Sequence, residues 1–179
     1  NDLVIAGNID LTPSNDKIDL VCTLKETNIK PFQIFTEGLF SNINGLADGI
    51  IRIKGPLSRP DIEGKVALNE VSLVMDYLGL PLKVDKAFIK IDDKKIDLGS
   101  FKVSDKYGSQ ATAGGKIYHT NFNNLRYDIF MKDLKNFNCM ELKDGQNDMF
   151  FGTAFVDGNM RVTGPSDELH LSINAKTRP

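Results

Sequence analysis

The stretch that decides the fold is GIIRIKGPLSRPDIEGKVAL, residues 49–68. Two runs in which apolar and polar residues alternate flank a corner that carries two prolines, Pro56 and Pro60. Alternation with a period of two residues is typical of a β-strand with one buried face, and a corner rich in proline favours a turn. The stretch therefore predicts an antiparallel hairpin.

The same phrase, a strand that starts with glycine, a corner and a second strand, recurs along the chain. It begins at Gly7, Gly115 and Gly158 as well as at Gly49. The intervals between these starts are unequal, so the chain is a hairpin module repeated with insertions and not a solenoid of fixed period. Because a single hairpin is only marginally stable, we expect the modules to join edge to edge in one long sheet.

Alternation predicts strands well beyond this stretch, and turn-forming residues separate them. Short strands with frequent turns are typical of an antiparallel all-β fold. The strands are predicted at residues 17–25, 65–69, 125–132, 159–163 and 168–176. The turns are predicted at residues 13–16, 44–45, 48–49, 92–95, 144–145, 157–158 and 164–167.

Two stretches depart from simple alternation. Between residues 82 and 103 the apolar positions change phase twice, which predicts bulges near Asp85 and at Gly99. Over residues 31–41, apolar residues recur at helical spacing after Pro31, which predicts one short amphipathic helix. The sequence therefore predicts an all-β protein with one short helix, in a single unit that covers residues 1–179.

Composition limits the possible functions. Hydrophobic residues make up 41% of the chain, which is enough for a core, and the formal net charge of −2 gives no electrostatic argument for nucleic acid. No apolar run approaches the ~20 residues that a membrane-spanning helix needs. The sequence begins at Asn1, and we expect it to be a fragment of a longer protein.

No pattern of catalytic or metal-binding residues stands out. His119 lies beside a predicted turn and His170 falls on the polar face of its strand, and neither has a partner at a recognised motif spacing. Two cysteines, Cys22 and Cys139, form neither a disulfide framework nor a zinc site. Cys22 is interpreted as a small inward-facing hydrophobe, with a Cys22–Cys139 disulfide as the minor alternative. We therefore expect a non-enzymatic protein without a cofactor.

Two phrases resemble motifs of the TamB family, the inner-membrane-anchored component of the translocation and assembly module of diderm bacteria. Residues 53–64, IKGPLSRPDIEG, resemble the strand–corner–strand element of that family. Residues 150–164, FFGTAFVDGNMRVTG, resemble its C-terminal glycine-containing run. The resemblance covers most of residues 49–177, and the preference for Asn, Lys and Asp is similar to that of Bacteroidetes-like members.

The resemblance implies a long antiparallel sheet curled into a trough, a β-taco, with an open edge and an apolar interior. It implies a periplasmic location, with an inner-membrane anchor in a segment that this fragment lacks. It also implies a part in phospholipid transport to the outer membrane, or in protein assembly there. The implied partners are phospholipid acyl chains and the outer-membrane β-barrel assembly protein of the module.

The inward-facing apolar residues of the predicted strands are the candidate lipid-binding site. Each buried methylene contributes about 0.8 kcal/mol, so an acyl chain would bind there without a polar anchor. The alternative is a ligand-free structural or adhesive β-sandwich whose core these side chains fill. The candidates are Ile18, Leu20, Val66, Leu68, Ile89, Ile91, Tyr127, Ile129, Met160, Val162, Leu169, Leu171 and Ile173. The residues expected to face water are Lys65, Arg126, Asp128, Arg161 and His170.

Overall fold

A computed structural model describes residues 2–12, 16–36, 40–145 and 151–177. Among these, ten β-strands form one antiparallel sheet in which the order of the strands follows their order in the chain. The predicted all-β antiparallel character is confirmed. The strands are β1 (Asp2–Asp10), β2 (Lys17–Asn28), β3 (Phe40–Pro56), β4 (Asp61–Met75), β5 (Leu80–Ile91), β6 (Lys95–Asp105), β7 (Gln110–Thr120), β8 (Asn123–Leu142), β9 (Gly152–Pro165) and β10 (His170–Thr177).

The sheet is a series of five hairpins, each formed by an odd-numbered strand and the next one. Their connections lie at one end of the sheet, which we call the turn end. At the opposite end, called the helix end, 3₁₀ helices at Lys30–Thr36 and Asp76–Leu78 precede β3 and β5. Four of the five hairpins are those that the repeated phrase predicts. The remaining hairpin, β5–β6, lacks the leading glycine and was not predicted from the phrase.

The helix predicted over residues 31–41 is shorter than expected. It is a 3₁₀ helix that spans Lys30–Thr36, and residues 37–39 lie outside the described residues. Phe40 already belongs to β3, where it pairs with Met75 of β4. The predicted end at residue 41 is wrong, because pairing with β4 holds these residues in the sheet although their apolar spacing suits a helix.

Three predicted turns are also wrong. Asn44-Gly45 and Asp48-Gly49 lie inside β3, and Asp157-Gly158 lies inside β9. Asp48 stabilises a bulge in the neighbouring strand β2. Its Oδ1 accepts a hydrogen bond of 2.9 Å from the backbone N–H of Glu26, where the β2–β3 register shifts. Asp157 likewise accepts a hydrogen bond of 2.6 Å from the backbone N–H of Asn136 in β8. These Asp-Gly pairs therefore support bulges in an adjacent strand and do not reverse the chain.

The glycine that begins each repeated phrase has the same place in every hairpin. It lies directly opposite a residue of the next strand, and a Cβ on it would collide with a backbone carbonyl oxygen of that strand. Only glycine allows two backbones to approach this closely. The recurrence in the sequence thus reflects one steric requirement. The opposed pairs are Gly7–Leu20, Gly49–Val66, Gly115–Ile129 and Gly158–Ala175.

The two predicted phase changes have different structural forms. At Gly99 the β6–β7 register shifts, which confirms the predicted bulge. Near Asp85 the β4–β5 register is unbroken, so the predicted bulge there is wrong as a register shift. The partner strand changes phase at the same level, where Glu70 has a φ of 52°. The alternation of apolar and polar residues changes phase in β4 and β5 at the same level. The apolar residues of both strands therefore stay on one face without an extra residue in either strand.

At the helix end, the long strand β8 reaches the corner between β4 and β5. Its residues 133–142 extend beyond the last residue that pairs with β7. The backbone of Gly79, at the corner between β4 and β5, lies so close to this extension that a Cβ on it would collide with the carbonyl oxygen of Glu141. β5 and β8 are three strands apart in the sheet, so this contact joins segments that are not neighbours in the strand order.

A buried aspartate ties the extension of β8 to the β6–β7 turn. Asp105 is 2% exposed. Its Oδ1 accepts hydrogen bonds of 2.9 Å from the backbone N–H groups of Tyr107 and Ser109, and its Oδ2 accepts one of 2.7 Å from Asn138. The Ser109 hydroxyl donates a further bond of 2.8 Å to the carbonyl of Asn136. Two segments distant in sequence are thereby held together.

Candidate functional site

One face of the sheet, called the inner face here, carries rows of apolar residues that cross many strands. Residues directly opposite each other in an antiparallel ladder project to the same face, so the pairing register traces each row. One row runs from β1 to β9 through Ile5, Cys22, Ile51, Gly64, Ile91, Ile96, Ile117, Tyr127 and Gly164. Another runs from β7 to β10 through Gly115, Ile129, Val162 and Leu171.

The structure places the candidate residues that lie in strands on this inner face. Some of them belong to the two rows just given. The others lie two or four positions from a row residue along the same strand, and an even spacing keeps them on the same face. Leu169 precedes β10 and has no paired partner in the described ladder. The paired candidates are Ile18, Leu20, Val66, Leu68, Ile89, Ile91, Tyr127, Ile129, Met160, Val162, Leu171 and Ile173.

The inner face has two different halves. Towards the helix end its side chains are buried against one another, as Ala47, Val103 and Phe137 illustrate with exposures of 2%, 2% and 0%. Towards the turn end most apolar side chains are only half-buried, among them Ile18, Leu20, Ile53, Ile89, Ile91, Ile96, Ile117, Ile129 and Val162. The chain therefore fills the helix-end half with its own atoms and leaves apolar surface accessible in the turn-end half.

Exposure of the inner face rises towards both edges of the sheet. In the middle, Val66 is 8% exposed, whereas Ile5 of β1 and Ile173 of β10 are 57% and 56% exposed. In the described sheet β1 and β10 each have a neighbour on one side only, so the sheet is not closed into a barrel. The apolar rows therefore end at two open edges.

The accessible surface agrees with an incompletely covered sheet. The chain exposes 11342 Å². A compact monomer of 19.9 kDa would expose about 8,700 Å² by the usual scaling of area with mass. The chain thus exposes more surface than a compact monomer of its mass.

The opposite face carries the charged residues that were expected to face water. Lys65, Arg126, Arg161 and His170 are exposed and Asp128 is partly exposed. Arg161 donates two hydrogen bonds of 2.9 Å, from Nε and Nη2, to the two carboxylate oxygens of Asp128. An ion pair in contact with water contributes at most about 1 kcal/mol, so this pair adds little to the stability of the sheet.

Several inner-face residues were missed in the sequence, among them Ile51, Ile96 and Ile117 of the first row, and one of those missed is polar. His119 lies two positions beyond Ile117 on β7 and is 7% exposed. Its Nδ1 accepts a 3.3 Å hydrogen bond from the backbone N–H of Phe122, and its ring stacks on the Phe122 ring at 4.3 Å. The proton of the neutral ring is therefore on Nε2, which has no partner among the described residues. The alternation from Ile117 could have placed this residue on the inner face.

Both cysteines are free thiols, and they differ in surroundings. Cys22 lies on the inner face between Ile5 and Ile51. Cys139 packs against the buried core at the helix end, and burial raises the pKa of its thiol. The chain thus carries one thiol, that of Cys22, in the apolar row that runs from β1 to β9. The other thiol, that of Cys139, lies beside the buried helix-end half of the inner face.

At neutral pH, Cys139 is expected to react with iodoacetamide more slowly than Cys22. A raised pKa leaves a smaller fraction of Cys139 as the reactive thiolate, and its burial also limits access. Mass spectrometry of a labelling time course measures both rates, and labelling in urea should bring them close together. Faster labelling of Cys139 than of Cys22 in the folded protein would contradict the burial of Cys139 against the core.

The described residues contain no group of three or more His, Cys, Asp or Glu side chains placed to hold a metal ion. Nor does the part of the chain that the structure describes include a helix long and apolar enough to cross a membrane.

Comparisons with known proteins give no relative. No protein-family model, curated protein or solved structure matches the chain. The resemblance to the TamB family therefore rests on the two sequence phrases, and the geometry of the inner face is the independent observation to set beside it.

Proposed function

We propose that this chain is a segment of a TamB-like envelope protein whose inner face guides phospholipid acyl chains towards the outer membrane. The observation that carries the proposal is the set of apolar rows that cross an unclosed ten-stranded sheet and are left accessible in the turn-end half. A curled trough with an apolar interior is part of the proposal. The contact between Gly79 and the extension of β8 supports it, because it requires the sheet to curve.

The dimensions of the rows suit acyl chains. Neighbouring strands lie about 4.8 Å apart, so the row that crosses nine strands from β1 to β9 spans about 38 Å. The acyl chains of one leaflet occupy about 15 Å, half of the ~30 Å hydrocarbon core, and would cross three or four strands. The row from β1 to β9 could therefore accept more than one chain in succession, as a conduit requires.

The expected affinity also suits a conduit. A chain that lies on an open face loses roughly half of its contact with water, so each methylene contributes about 0.4 kcal/mol, half of the value for full burial. A chain of about fourteen methylenes then gains about 6 kcal/mol, before the cost of ordering it. Binding of this strength is reversible, so that a lipid held in the turn-end half can move on.

A ligand-free structural role is the second candidate, and the filled helix-end half favours it. Phe137, Leu134 and Leu80 are at most 2% exposed, so that half has the packing of an ordinary core. The sandwich form of this alternative needs two facing sheets, whereas the described strands form one. We therefore confine the proposed lipid contact to the turn-end half and assign the helix-end half a structural role.

The wider setting is also a proposal. By resemblance, the protein lies in the periplasm, is anchored to the inner membrane through a segment outside this sequence, and works with the outer-membrane β-barrel assembly protein of the module. Protein assembly in the outer membrane is the variant of the function in which the same face receives apolar side chains of a client strand instead of acyl chains.

The native thiol of Cys22 tests lipid contact directly. A short-chain phosphatidylcholine below its critical micelle concentration is expected to slow alkylation of Cys22 several-fold, because Cys22 lies in the row between Ile5 and Ile51. Alkylation of Cys139 serves as the internal control and should not change. Glycerophosphocholine, which has the same headgroup without chains, should protect neither thiol. Unchanged labelling of Cys22 with the chain-bearing lipid would favour the ligand-free role.

A further inference from the structure

The face opposite the inner face, called the outer face here, carries one strongly exposed phenylalanine. Phe88 lies in β5, between β4 and β6, and is 66% exposed. No other large apolar side chain in the described strands is as exposed. Phe130 lies on the same face of β8 but packs over Gly114, where a Cβ would lie 3.0 Å from its Cζ. The sheet thus covers one phenylalanine of this face and leaves Phe88 open to contact.

A shallow depression of about 350 Å³ lies beside the Phe88 ring. Ala67, directly opposite Phe88 on β4, provides a small side chain at its centre. Lys65 and Lys90 lie at its rim, and Asp48 of β3 lies on the far side of Ala67. This volume is at the low end of the ~300–1,000 Å³ that is usual for ligand pockets, so the depression suits a single side chain.

The charge at the rim is not neutralised within the chain. Lys65 and Lys90 lie directly opposite each other in the β4–β5 ladder, and like charges in that position destabilise a sheet. Neither lysine forms an ion pair with any residue that the structure describes. Asp97, the other neighbour of Lys90, is paired with Lys116 at 3.9 Å. A bound anion would relieve the repulsion between the two rim lysines.

The remaining polar groups around the depression already have partners. The carboxylate of Asp48 accepts hydrogen bonds of 2.9 Å from the backbone N–H of Glu26 and from the side-chain amide of Asn69. The Nζ of Lys86 lies 5.2 Å from the centroid of the Phe88 ring, in a cation–π contact that leaves this lysine exposed. A ligand therefore meets an aromatic ring with a positive charge on either side of it.

We infer that the depression binds an extended acidic segment of a partner protein, in which an apolar residue lies between two acidic residues at alternate positions. Lys86, Phe88 and Lys90 occupy alternate positions of β5, so their side chains project from one face about 6.7 Å apart. An extended segment has the same spacing between its own alternate residues. Its apolar side chain enters the depression against Phe88, and its two carboxylates meet the lysines on either side.

A short acidic polypeptide fits this face better than a bilayer or a nucleic acid. A flat lipid surface cannot place a single group in a depression that lies between side chains. A long polyanion would meet carboxylates, because charges alternate in sign along the row of Lys90, Asp97, Lys116 and Asp128. Asp85, which is exposed, directly precedes the three matching residues and limits the acidic segment to their length. The site lies on the face opposite the proposed lipid surface and does not depend on lipid binding.

An NMR titration of the ¹⁵N-labelled full chain with the peptide acetyl-TETFTET-amide tests the inference. Saturable shifts are expected at the backbone amides of Ala67, Phe88 and Lys90, and none at Ile129 on the inner face. The peptide acetyl-TEETFTT-amide has the same composition but only one carboxylate two positions from its phenylalanine. It should bind about threefold more weakly, because one ion pair is lost. Equal affinities for the two peptides, or no shifts at millimolar peptide, would overturn the inference.

Two substitutions on the outer face separate binding from folding. Lys65→Glu places opposite charges opposite each other in the β4–β5 ladder, so the urea midpoint of unfolding should rise while the affinity for acetyl-TETFTET-amide falls about fivefold. Phe88→Thr removes the ring, keeps a residue that favours strands and should weaken binding about fivefold. Lys135→Gln, an exposed position that does not line the depression, should bind like the wild type.

The variants also distinguish this site from a general effect of charge. An equal loss of affinity in Lys135→Gln would show that net charge alone attracts the peptide, and unchanged affinity in Lys65→Glu or Phe88→Thr would show that the peptide binds elsewhere. Either result contradicts the inference. Vesicles of phosphatidylglycerol supply the last comparison. Shifts of the Ala67 and Phe88 amides with vesicles but not with the peptide would assign the face to a membrane surface and overturn the proposed partner.

Discussion

Replacement of Gly115 by alanine is expected to lower the free energy of unfolding by about 4 kcal/mol, the sum of a strained backbone and an overpacked contact. Gly115 has a φ of 136°, which disfavours a residue with a Cβ. A Cβ there would also collide with the carbonyl oxygen of Asp128 and lie 2.8 Å from the Cα of Ile129. The β7 and β8 backbones would have to separate at the centre of the sheet.

The matched control is Gly108→Ala in the β6–β7 turn. Gly108 also has a positive φ, of 89°, but no atom lies within 4 Å of the position of its Cβ. That variant carries the backbone strain alone, about 1–2 kcal/mol. Urea unfolding followed by circular dichroism measures both variants. Equal losses would show that close approach of the backbones is not the reason for glycine at the start of the repeated phrase.

Asp105→Asn is expected to destabilise the protein by about 3 kcal/mol, because a buried donor left without an acceptor costs about 1–3 kcal/mol and more in a charged site. The carboxylate accepts three backbone N–H groups, from Tyr107, Ser109 and Asn138, with both of its oxygens. The asparagine amide has one acceptor oxygen, so its NH₂ group must face at least one of these donors. Alanine would remove every acceptor and should be at least as harmful.

A surface aspartate provides the comparison for Asp105. Asp93→Asn, in the exposed β5–β6 turn, should change stability by no more than about 0.5 kcal/mol. Hydrogen exchange of the Asn138 amide gives a local measurement, since the bond to Asp105 protects that amide. If Asp105→Asn leaves both the unfolding midpoint and the exchange of Asn138 unchanged, the extension of β8 is not held in the way described.

Local pattern was enough to predict much of the sheet. Alternation and the repeated phrase predict four hairpins because each pairs residues that are close in sequence. The Asp-Gly pairs were misinterpreted because the partner that decides their role is remote, as in the hydrogen bond from Glu26 to Asp48 across 22 positions. An Asp-Gly pair can form a turn or support a bulge in an adjacent strand. Only its contacts with the neighbouring strand show which of the two it does.

The division of the inner face into two halves could not be predicted. Ala87 and Ile91 occupy equivalent inward positions in β5, yet Ala87 is buried and Ile91 is half-buried. Ala87 lies towards the helix end, where the extension of β8 contacts Asp105 and Gly79 and brings together segments far apart in the chain. Sequence alternation identifies which face a residue takes, whereas contacts between segments far apart in the chain decide how deeply it is buried.

Site-specific photocrosslinking in the intact protein, in cells, tests the central claim most directly. A photoreactive side chain at Ile129, on the accessible half of the inner face, is expected to capture phospholipid. The same probe at the adjacent Asp128, on the opposite face, should capture none, because successive residues of a strand point to opposite sides. Melting of both purified variants confirms that each is folded. Lipid adducts at Ile129 and none at Asp128 are the predicted result, and folded proteins with no adduct at Ile129, or equal adducts at both positions, would contradict the account.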